Sequence, residues 1–237
     1  MRRSAVEIRP AVAGARFGPS KNRPRPPSQS ASFGAVFITL EGIDRSGKTT
    51  QAAMLADALG PDTLLIREPG GTEMAEGVRA LLKDPALEMG DTAELLLFSA
   101  ARADLAERVI GPARAAGRDV VCDRFIDSTA AYQGIARGIG LEAVEGLTEL
   151  VVGQCMPDVT VLLKVDVDAA HARGQQRLAA GEEDGRDRFE SEGIEFQRCV
   201  AAAYDEIAAA HRERIVVVDG DGDPAEVHRR VLGALGR

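Results

Sequence analysis

The chain has few cysteines and no hydrophobic run long enough to cross a membrane. None of its apolar stretches approaches the roughly 18–20 residues that a transmembrane helix needs. The three cysteines, Cys122, Cys155 and Cys199, are too far apart to form a CxxC motif, and no secretory signal precedes them. These absences predict a cytoplasmic protein with reduced thiols and no membrane-integral part.

Acidic residues outnumber basic ones outside the N-terminus. Residues 1–33 carry seven Lys or Arg and one Glu, a net charge of +6, which leaves −14 for the rest of the chain. An acidic body argues against nucleic acid as the main partner, because binding to a phosphate backbone requires a basic face. The N-terminal stretch is also proline-rich at 23–27, so we predict a disordered tail over 1–33 before one domain over 34–237. Composition leaves open a transit peptide or an over-extended start of the chain.

The strongest motif is a glycine-rich loop between a predicted strand at 36–40 and a predicted helix at 51–59. Its core, Gly42-x-x-x-x-Gly47-Lys48-Thr49, has the spacing of a phosphate-binding loop. Successive backbone N–H groups and the helix N-terminus favour a nucleotide phosphate there, with Lys48 reaching the β- and γ-phosphates and Thr49 reaching Mg²⁺. The residues that we predict to bind ATP are Gly42, Ile43, Asp44, Arg45, Ser46, Gly47, Lys48, Thr49 and Thr50.

Strands and helices alternate along the rest of the chain. Short β-branched runs predict further strands at 63–67, 119–122, 159–165 and 214–218. Apolar spacings of three and four predict helices at 77–83, 93–115 and 224–235. This pattern predicts an α/β fold with a five-stranded parallel sheet flanked by helices, and ligands bound at the carboxyl ends of its strands.

Two other classes of phosphate-loop protein compete with a kinase. A GTPase reads guanine through an Asn-Lys-x-Asp segment, and the one asparagine of this chain, Asn22, lies in the predicted tail. A P-loop ATPase that acts as a switch remains open, because an apolar run ends in Asp123. Arg124 directly follows Asp123 at the end of the predicted strand. An arginine that can bind a second phosphate, next to a carboxylate that can face its metal, favours an enzyme with both a phosphate donor and an acceptor.

Five ordered sequence blocks resemble the thymidylate kinases, which phosphorylate dTMP. They are LEGIDRSGKTT at 40–50, REPGGT at 67–72, LFSAAR at 97–102, DRFIDSTAAYQG at 123–134 and DRFE at 187–190. The resemblance extends from about residue 37 to the C-terminus and implies a nucleoside-monophosphate kinase that uses ATP and Mg²⁺ and forms a homodimer, with helix 93–115 at its interface. Another nucleoside-monophosphate or deoxynucleoside kinase is the alternative within this class.

The resemblance implies a role for each residue that would bind dTMP. Phe98 would stack on thymine and Arg102 would donate to its O4 atom, where cytosine carries an amino donor instead. Thr129 and Gln133 would complete the hydrogen bonds to the base, and Tyr132 would lie near the sugar and disfavour a 2′-hydroxyl. The monophosphate would be held by Arg67 and Arg124, with Arg79 nearby.

The resemblance also implies the groups that promote phosphoryl transfer. Positive charge must oppose the repulsion between two anionic phosphates, and no general base is needed because the acceptor phosphate is already ionised. The predicted catalytic residues are Lys48, Arg45, Arg124, Asp44 and Arg186. Thr49 and Asp123 would hold the metal, Asp123 through a bound water, and Asp44 would reach toward the sugar or the metal.

One departure from the family pattern concerns the catalytic arginine. Bacterial relatives commonly carry this arginine in a mobile lid, here about 178–188, whereas eukaryotic-type relatives carry it in the phosphate loop, where Arg45 stands. The lid region contains or borders Arg173, Arg177, Arg186 and Arg188, but its centre is acidic. We predict Arg45 to be the principal catalytic arginine, because the loop backbone already fixes its position around the phosphates.

Overall fold

The computed structural model describes residues 35–180, 188–189 and 192–237. The predicted tail over 1–33 and most of the predicted lid, including Arg186, lie outside the described residues. Among the helices that are described, none has the length and apolar character that a membrane span requires.

Five parallel strands form one sheet, as the sequence predicts. They are β1 (Phe37–Glu41), β2 (Leu64–Arg67), β3 (Val120–Asp123), β4 (Val159–Lys164) and β5 (Ile215–Asp219), in the spatial order β2-β3-β1-β4-β5. In the register of the sheet, Asp123 stands beside Leu40 of β1 and beside Arg67 of β2. The carboxyl ends of three strands therefore meet at one edge, where the candidate site residues begin.

Helices cover both faces of the sheet. They are α1 (Lys48–Leu59), α2 (Glu73–Lys83), α3 (Asp91–Leu105), α4 (Gly111–Ala115), α5 (Ile126–Thr129), α6 (Leu141–Val152), α7 (Val167–Ala179), α8 (Ile194–Ala210) and α9 (Pro224–Ala234). π-Helical turns at Ala106–Ile110 and Ala130–Ala136 join α3 to α4 and extend α5. The predicted helices at 77–83 and 93–115 are confirmed, although the first begins earlier, at Glu73, and the second is divided by a π-helical turn.

Side chains of β1 pack into a hydrophobic core on each face of the sheet. Ile38 and Leu40 pack with Leu55 of α1 and Val231 of α9 on one side. Phe37 belongs to a cluster on the other side that is built largely from the stretch between α3 and β3. Every residue of β1 is buried, which is the expected pattern for a central strand of a parallel sheet covered on both faces.

Side-chain caps fix the start of two helices. Thr72 Oγ1 accepts a hydrogen bond from Ala75 N at 3.0 Å at the start of α2, and Asp223 Oδ1 accepts one from Ala225 N at 2.9 Å at the start of α9. Each cap satisfies a backbone donor that has no partner within its own helix. The cap at Thr72 explains why α2 begins four residues before the apolar period that predicts it.

Candidate active site

The phosphate loop between β1 and α1 is held open by unusual backbone conformations. Gly42 has φ 143°, and a Cβ there would lie 2.6 Å from the carbonyl oxygen of Leu163. Gly47 has φ 92° and caps α1, and Arg45 takes a left-handed conformation with φ 62°. The loop therefore curls around one centre, as the sequence motif predicts, because glycine tolerates both the φ values and the close approach.

Lys48 begins α1 and lies folded back over the loop. Its Nζ donates to Ile43 O at 2.7 Å and to Ser46 Oγ at 3.4 Å. Burial and, next, the charge of Arg124 lower the pKa of Lys48 to about 8, against the opposing effect of nearby carboxylates. An anion placed at the loop would favour the charged form, so this ammonium group is suited to binding phosphate.

Arg124 connects the loop to the end of β3. Its guanidinium donates to Gly42 O at 3.3 Å, to Ser128 Oγ at 3.0 Å and to a carboxylate oxygen of Asp44, with which it forms an ion pair. It also lies 5.2 Å from the centre of the Tyr132 ring, and its backbone has φ 70°. Burial raises the pKa of Asp44, but the charges of Arg124 and Lys48, together with a hydrogen bond from Gln197 and the charge of Arg45, lower it below its usual value, so the carboxylate stays ionised.

Thr49 and Asp123 lie together at the edge of the sheet. Thr49 Oγ1 donates to Asp123 Oδ2, and the buried Oδ1 of Asp123 has no hydrogen-bond partner among the described residues. No group of three or more His, Cys, Asp or Glu in the described part of the chain could form a metal site on its own. One carboxylate with a hydroxyl fits Mg²⁺ bound together with nucleotide phosphates, which needs only one or two protein carboxylates.

Arg102, a residue of α3, is almost completely buried, with 2% of its surface exposed. Its Nε donates to Glu68 Oε2 at 2.8 Å and its Nη2 to Phe125 O at 3.0 Å. Burial raises the pKa of Glu68 to about 7, although Arg102 opposes this shift. The two contacts fix the guanidinium of Arg102, which lines the same cavity as Phe98.

Arg67 and Arg79 lie close to Pro69. Arg67 Nη1 and Arg79 Nη1 donate to Pro69 O at 3.1 and 2.9 Å, and Arg67 also pairs with Glu76 at 3.2 Å. Arg67 is the last residue of β2, which places it at the same edge of the sheet as Asp123.

A single cavity of about 290 Å³ joins the loop to these groups. Its wall contains thirteen of the predicted site residues: Asp44, Arg45, Lys48, Thr49, Arg67, Arg79, Phe98, Arg102, Asp123, Arg124, Thr129, Tyr132 and Gln133. The lining therefore includes residues of the phosphate loop together with Phe98, Arg102 and Gln133. The volume is near the lower limit of the roughly 300–1,000 Å³ typical of small-molecule sites.

Five predicted loop residues, Gly42, Ile43, Ser46, Gly47 and Thr50, are not part of the wall of this cavity. The first four precede α1 and form the turn that leads to Lys48 and Thr49, and Thr50 follows these two residues in α1.

Arg45 extends from the loop onto α7. Its Nε, Cζ and Cδ atoms lie against Gly174, where an added Cβ would be only 2.3–2.5 Å from them. Among the lid arginines, Arg173 pairs with Asp221, and Arg188 contacts Leu82 O and a carboxylate oxygen of Glu94. The side chains of Arg177 and Arg186 lie outside the described part of the structure.

Three buried carboxylates that the sequence interpretation missed support the site. Glu41 accepts hydrogen bonds from Phe125 N at 2.7 Å, from Ser128 Oγ at 2.6 Å and from Tyr204 OH at 2.9 Å. Burial, followed by the charge of Asp127, raises the pKa of Glu41. Since Ser128 also receives a hydrogen bond from Arg124, Glu41 helps to anchor that arginine.

The other two carboxylates contact Arg102 and Gln133. Glu68 holds Arg102, and Glu94 accepts a hydrogen bond from Gln133 Nε2 at 2.7 Å. A signal for Glu94 was available in the sequence, because it precedes Phe98 by four residues and thus lies on the same face of α3.

Comparisons with known proteins agree with this arrangement. The sequence model of the thymidylate kinase family, "Thymidylate kinase", matches residues 40–231. A thymidylate kinase of Desulfosudis oleivorans is 44% identical over 207 residues, which cover 85% of this chain and 97% of that protein. A thymidylate kinase of Dinoroseobacter shibae is 46% identical over 204 residues, which cover 84% of this chain and 95% of that protein.

A solved structure gives the same result for the fold. The crystal structure of thymidylate kinase from Ehrlichia chaffeensis has a TM-score of 0.69 and 34% sequence identity, covering 85% of this chain and 99% of that one. The predicted resemblance is confirmed, and the chain belongs to the thymidylate kinase family.

Proposed function

We propose that this protein transfers the γ-phosphoryl group of ATP to dTMP, giving ADP and dTDP. The observation that carries the proposal is the continuity of the cavity. One wall contains a phosphate-loop lysine, Lys48, and also a buried arginine and an aromatic ring, Arg102 and Phe98, that suit a flat base with a carbonyl acceptor. Donor and acceptor phosphates would meet between these ends, beside Arg45 and Arg124.

Positive charge is the main contribution of the protein to this reaction. Lys48, Arg45 and Arg124 line the cavity near the loop, where they would oppose the repulsion between donor and acceptor phosphates. Thr49 and Asp123 would hold Mg²⁺, which neutralises charge on the nucleotide phosphates when it is bound. Asp44, paired with Arg124, would face the sugar or the metal, and no side chain needs to remove a proton from the acceptor.

The acceptor nucleotide would be held at three places. Arg67 and Arg124, with Arg79 nearby, would bind its phosphate at the edge of the sheet. Tyr132, which packs against the Arg124 guanidinium, would lie near the sugar and disfavour a ribose. At the base, Phe98 would stack, Arg102 would donate to O4, and Thr129 and Gln133 would complete the hydrogen bonds.

The substrate assignment is tested by ADP release with dTMP, dUMP, dCMP, dGMP and AMP as acceptors. A dTMP kinase releases ADP fastest with dTMP, whereas another monophosphate kinase releases ADP fastest with a different acceptor. An ATPase that acts as a switch has a basal turnover that none of the five nucleotides changes. Either of these last two results would overturn the proposal.

Lys48→Ala is the matching test of the phosphate loop. It should abolish phosphoryl transfer, because Lys48 is the side chain that would neutralise the β- and γ-phosphates of ATP. Circular dichroism should show an intact fold. Lys164→Ala is the control, since Lys164 is an exposed lysine that pairs with Asp205, and it should keep normal turnover. A folded Lys48→Ala variant with near-normal turnover would contradict the assignment.

We also propose a homodimer with α3 at its interface. Leu96 of α3 is 53% exposed, and Met74 and Leu81 of the adjoining α2 are nearly half exposed. Such apolar side chains favour burial against a second copy. Analytical ultracentrifugation should give twice the mass of the chain, and Leu96→Glu should shift the equilibrium toward monomer. A monomeric unmodified protein at micromolar concentration would refute this proposal.

A further inference from the structure

Glu94 is a buried acid whose contacts suggest a role in base selection. It lies in the first turn of α3 with 1% of its surface exposed. Its Oε1 accepts from Gln133 Nε2 at 2.7 Å and from Arg137 Nε at 3.5 Å, and its Oε2 accepts from Arg188. Glu94 itself is not part of the cavity wall, but Gln133 is.

The contact with Glu94 determines which end of the Gln133 amide faces the cavity. An ionised carboxylate can only accept hydrogen bonds, so the NH₂ group of Gln133 must point toward it. The Gln133 carbonyl oxygen then points away from Glu94, and no described residue donates a hydrogen bond to it. Since Gln133 lines the cavity, this oxygen is an acceptor available to a ligand.

A fixed acceptor at this position distinguishes thymine from cytosine. The N3 atom of thymine carries a hydrogen and donates, whereas the N3 atom of cytosine has a lone pair and accepts. The Gln133 oxygen would accept a hydrogen bond from thymine N3–H and repel the lone pair of cytosine N3. An amide free to rotate could instead donate its NH₂ group to cytosine N3 and would bind both bases.

We propose that Glu94 is a positioning residue that sets the preference for dTMP over dCMP by fixing the orientation of the Gln133 amide. This inference rests on the proposed function, because it assumes that Gln133 contacts the base. Arg102 would bind O4 and Gln133 would bind N3, so the two residues recognise different atoms of the same hydrogen-bonding edge of thymine.

Glu94→Gln is the direct test. Arg188 still requires an oxygen acceptor at position 94, so the new amide presents its NH₂ group to Gln133 and favours the reversed orientation. The ratio of kcat/KM for dTMP to that for dCMP should fall by about three- to tenfold, the effect of one neutral hydrogen bond. The change should appear in the KM for the acceptor, with the KM for ATP unaltered.

A comparison with dUMP separates positioning from general damage to the pocket. Uracil has the same N3–H and O4 groups as thymine but lacks the methyl group, so Glu94→Gln should leave the dTMP to dUMP ratio unchanged. In a Gln133→Ala background, Glu94→Gln should have no further effect on the dTMP to dCMP ratio. Equal losses in both ratios, or a further loss in the double variant, would overturn the proposal.

Two further variants control for charge and folding. Asp91→Asn removes a carboxylate from the same helical turn, one that lies 3.6 Å from Arg137, and should leave the ratios unchanged. If Glu94→Gln does not fold, Glu94→Asp keeps the charge for the arginines while withdrawing the carboxylate from Gln133, and it should also lower the dTMP to dCMP ratio. If the unmodified protein does not phosphorylate dTMP, the proposed function fails; if it does and the ratio stays constant in these Glu94 variants, only the inference fails.

Discussion

Replacing Gly174 by alanine should raise the stability of the protein and lower its activity. Gly174 is buried within α7, and the Arg45 side chain lies directly on it. An added Cβ would lie 2.3 Å from Nε, 2.4 Å from Cζ and 2.5 Å from Cδ of Arg45. Nonbonded heavy atoms pack at about 3.5–4.0 Å, so the long arginine side chain must retreat by about 1 Å or more.

The two effects have opposite signs. Alanine in place of glycine inside a helix stabilises by about 0.5–1 kcal/mol, which corresponds to about 1–4 °C in Tm for a domain of this size. Displacement of a catalytic group by 1 Å can lower the rate by about 100-fold. If Arg45 is the principal catalytic arginine, Gly174→Ala should lower kcat by about 10- to 100-fold with little change in the KM for ATP.

The assay compares kcat and Tm for a small set of variants. Gly146→Ala is the control, because a Cβ at Gly146 in α6 meets no atom within 4 Å; it should stabilise without loss of activity. Arg45→Gly should lower kcat by at least about tenfold, more than Arg177→Ala or Arg186→Ala does. The double variant of Gly174→Ala and Arg45→Gly should be no slower than Arg45→Gly alone.

Two results would refute the reasoning. Full kcat in a stabilised Gly174→Ala variant would mean that the position of Arg45 does not matter. A larger loss from a lid substitution than from Arg45→Gly would assign the principal role to the lid and leave Arg45 as a charge that steers phosphate.

Three further predictions concern the base, a buried acid and the tail. Arg102→Ala should lower the preference for dTMP over dCMP by about 5- to 150-fold, or about 1–3 kcal/mol, with the KM for ATP nearly constant; an unchanged ratio would mean that the base is read elsewhere. Glu41→Gln should lower Tm by about 2–12 °C in calorimetry, because the new NH₂ group cannot accept the donors that now meet one of the carboxylate oxygens; an unchanged Tm would contradict the anchoring role. A chain that begins at Ser32 should match the full chain in Tm and dTMP turnover, and loss of most activity would show that the tail contributes to the folded body.

Local sequence patterns were sufficient for the fold. Short apolar runs predict all five strands, because the three central strands β1, β3 and β4 are covered on both faces and are apolar almost throughout. The glycine and lysine spacing predicts the phosphate loop, because the backbone conformation there depends on residues that are adjacent in the chain. No range was predicted for the helices α5 to α8. The two π-helical turns were not predicted either, because they do not change the apolar period enough to be recognised.

The supporting carboxylates could not be predicted in the same way. Glu68 lies in the REPGGT block and Glu94 lies in α3, and glutamate side chains are usually exposed to solvent. Their burial depends on Arg102 and Arg188, which are 34 and 94 residues away along the chain. A sequence pattern records which side chains share a helix face, but it does not record which distant partner makes a buried charge tolerable.

The left-handed backbone at Arg45 and Arg124 has a consequence for attempts to raise the thermal stability of this protein. A side chain other than glycine costs about 1–2 kcal/mol in that conformation, and both residues adopt it, with φ 62° and 70°. Glycine at either position would relieve this cost and remove a guanidinium from the cavity wall. At Arg124 the loss of the ion pair with Asp44 would offset this gain. At Arg45, a library screened for heat resistance alone would therefore enrich variants of low activity, so selection for stability and selection for catalysis favour different residues there.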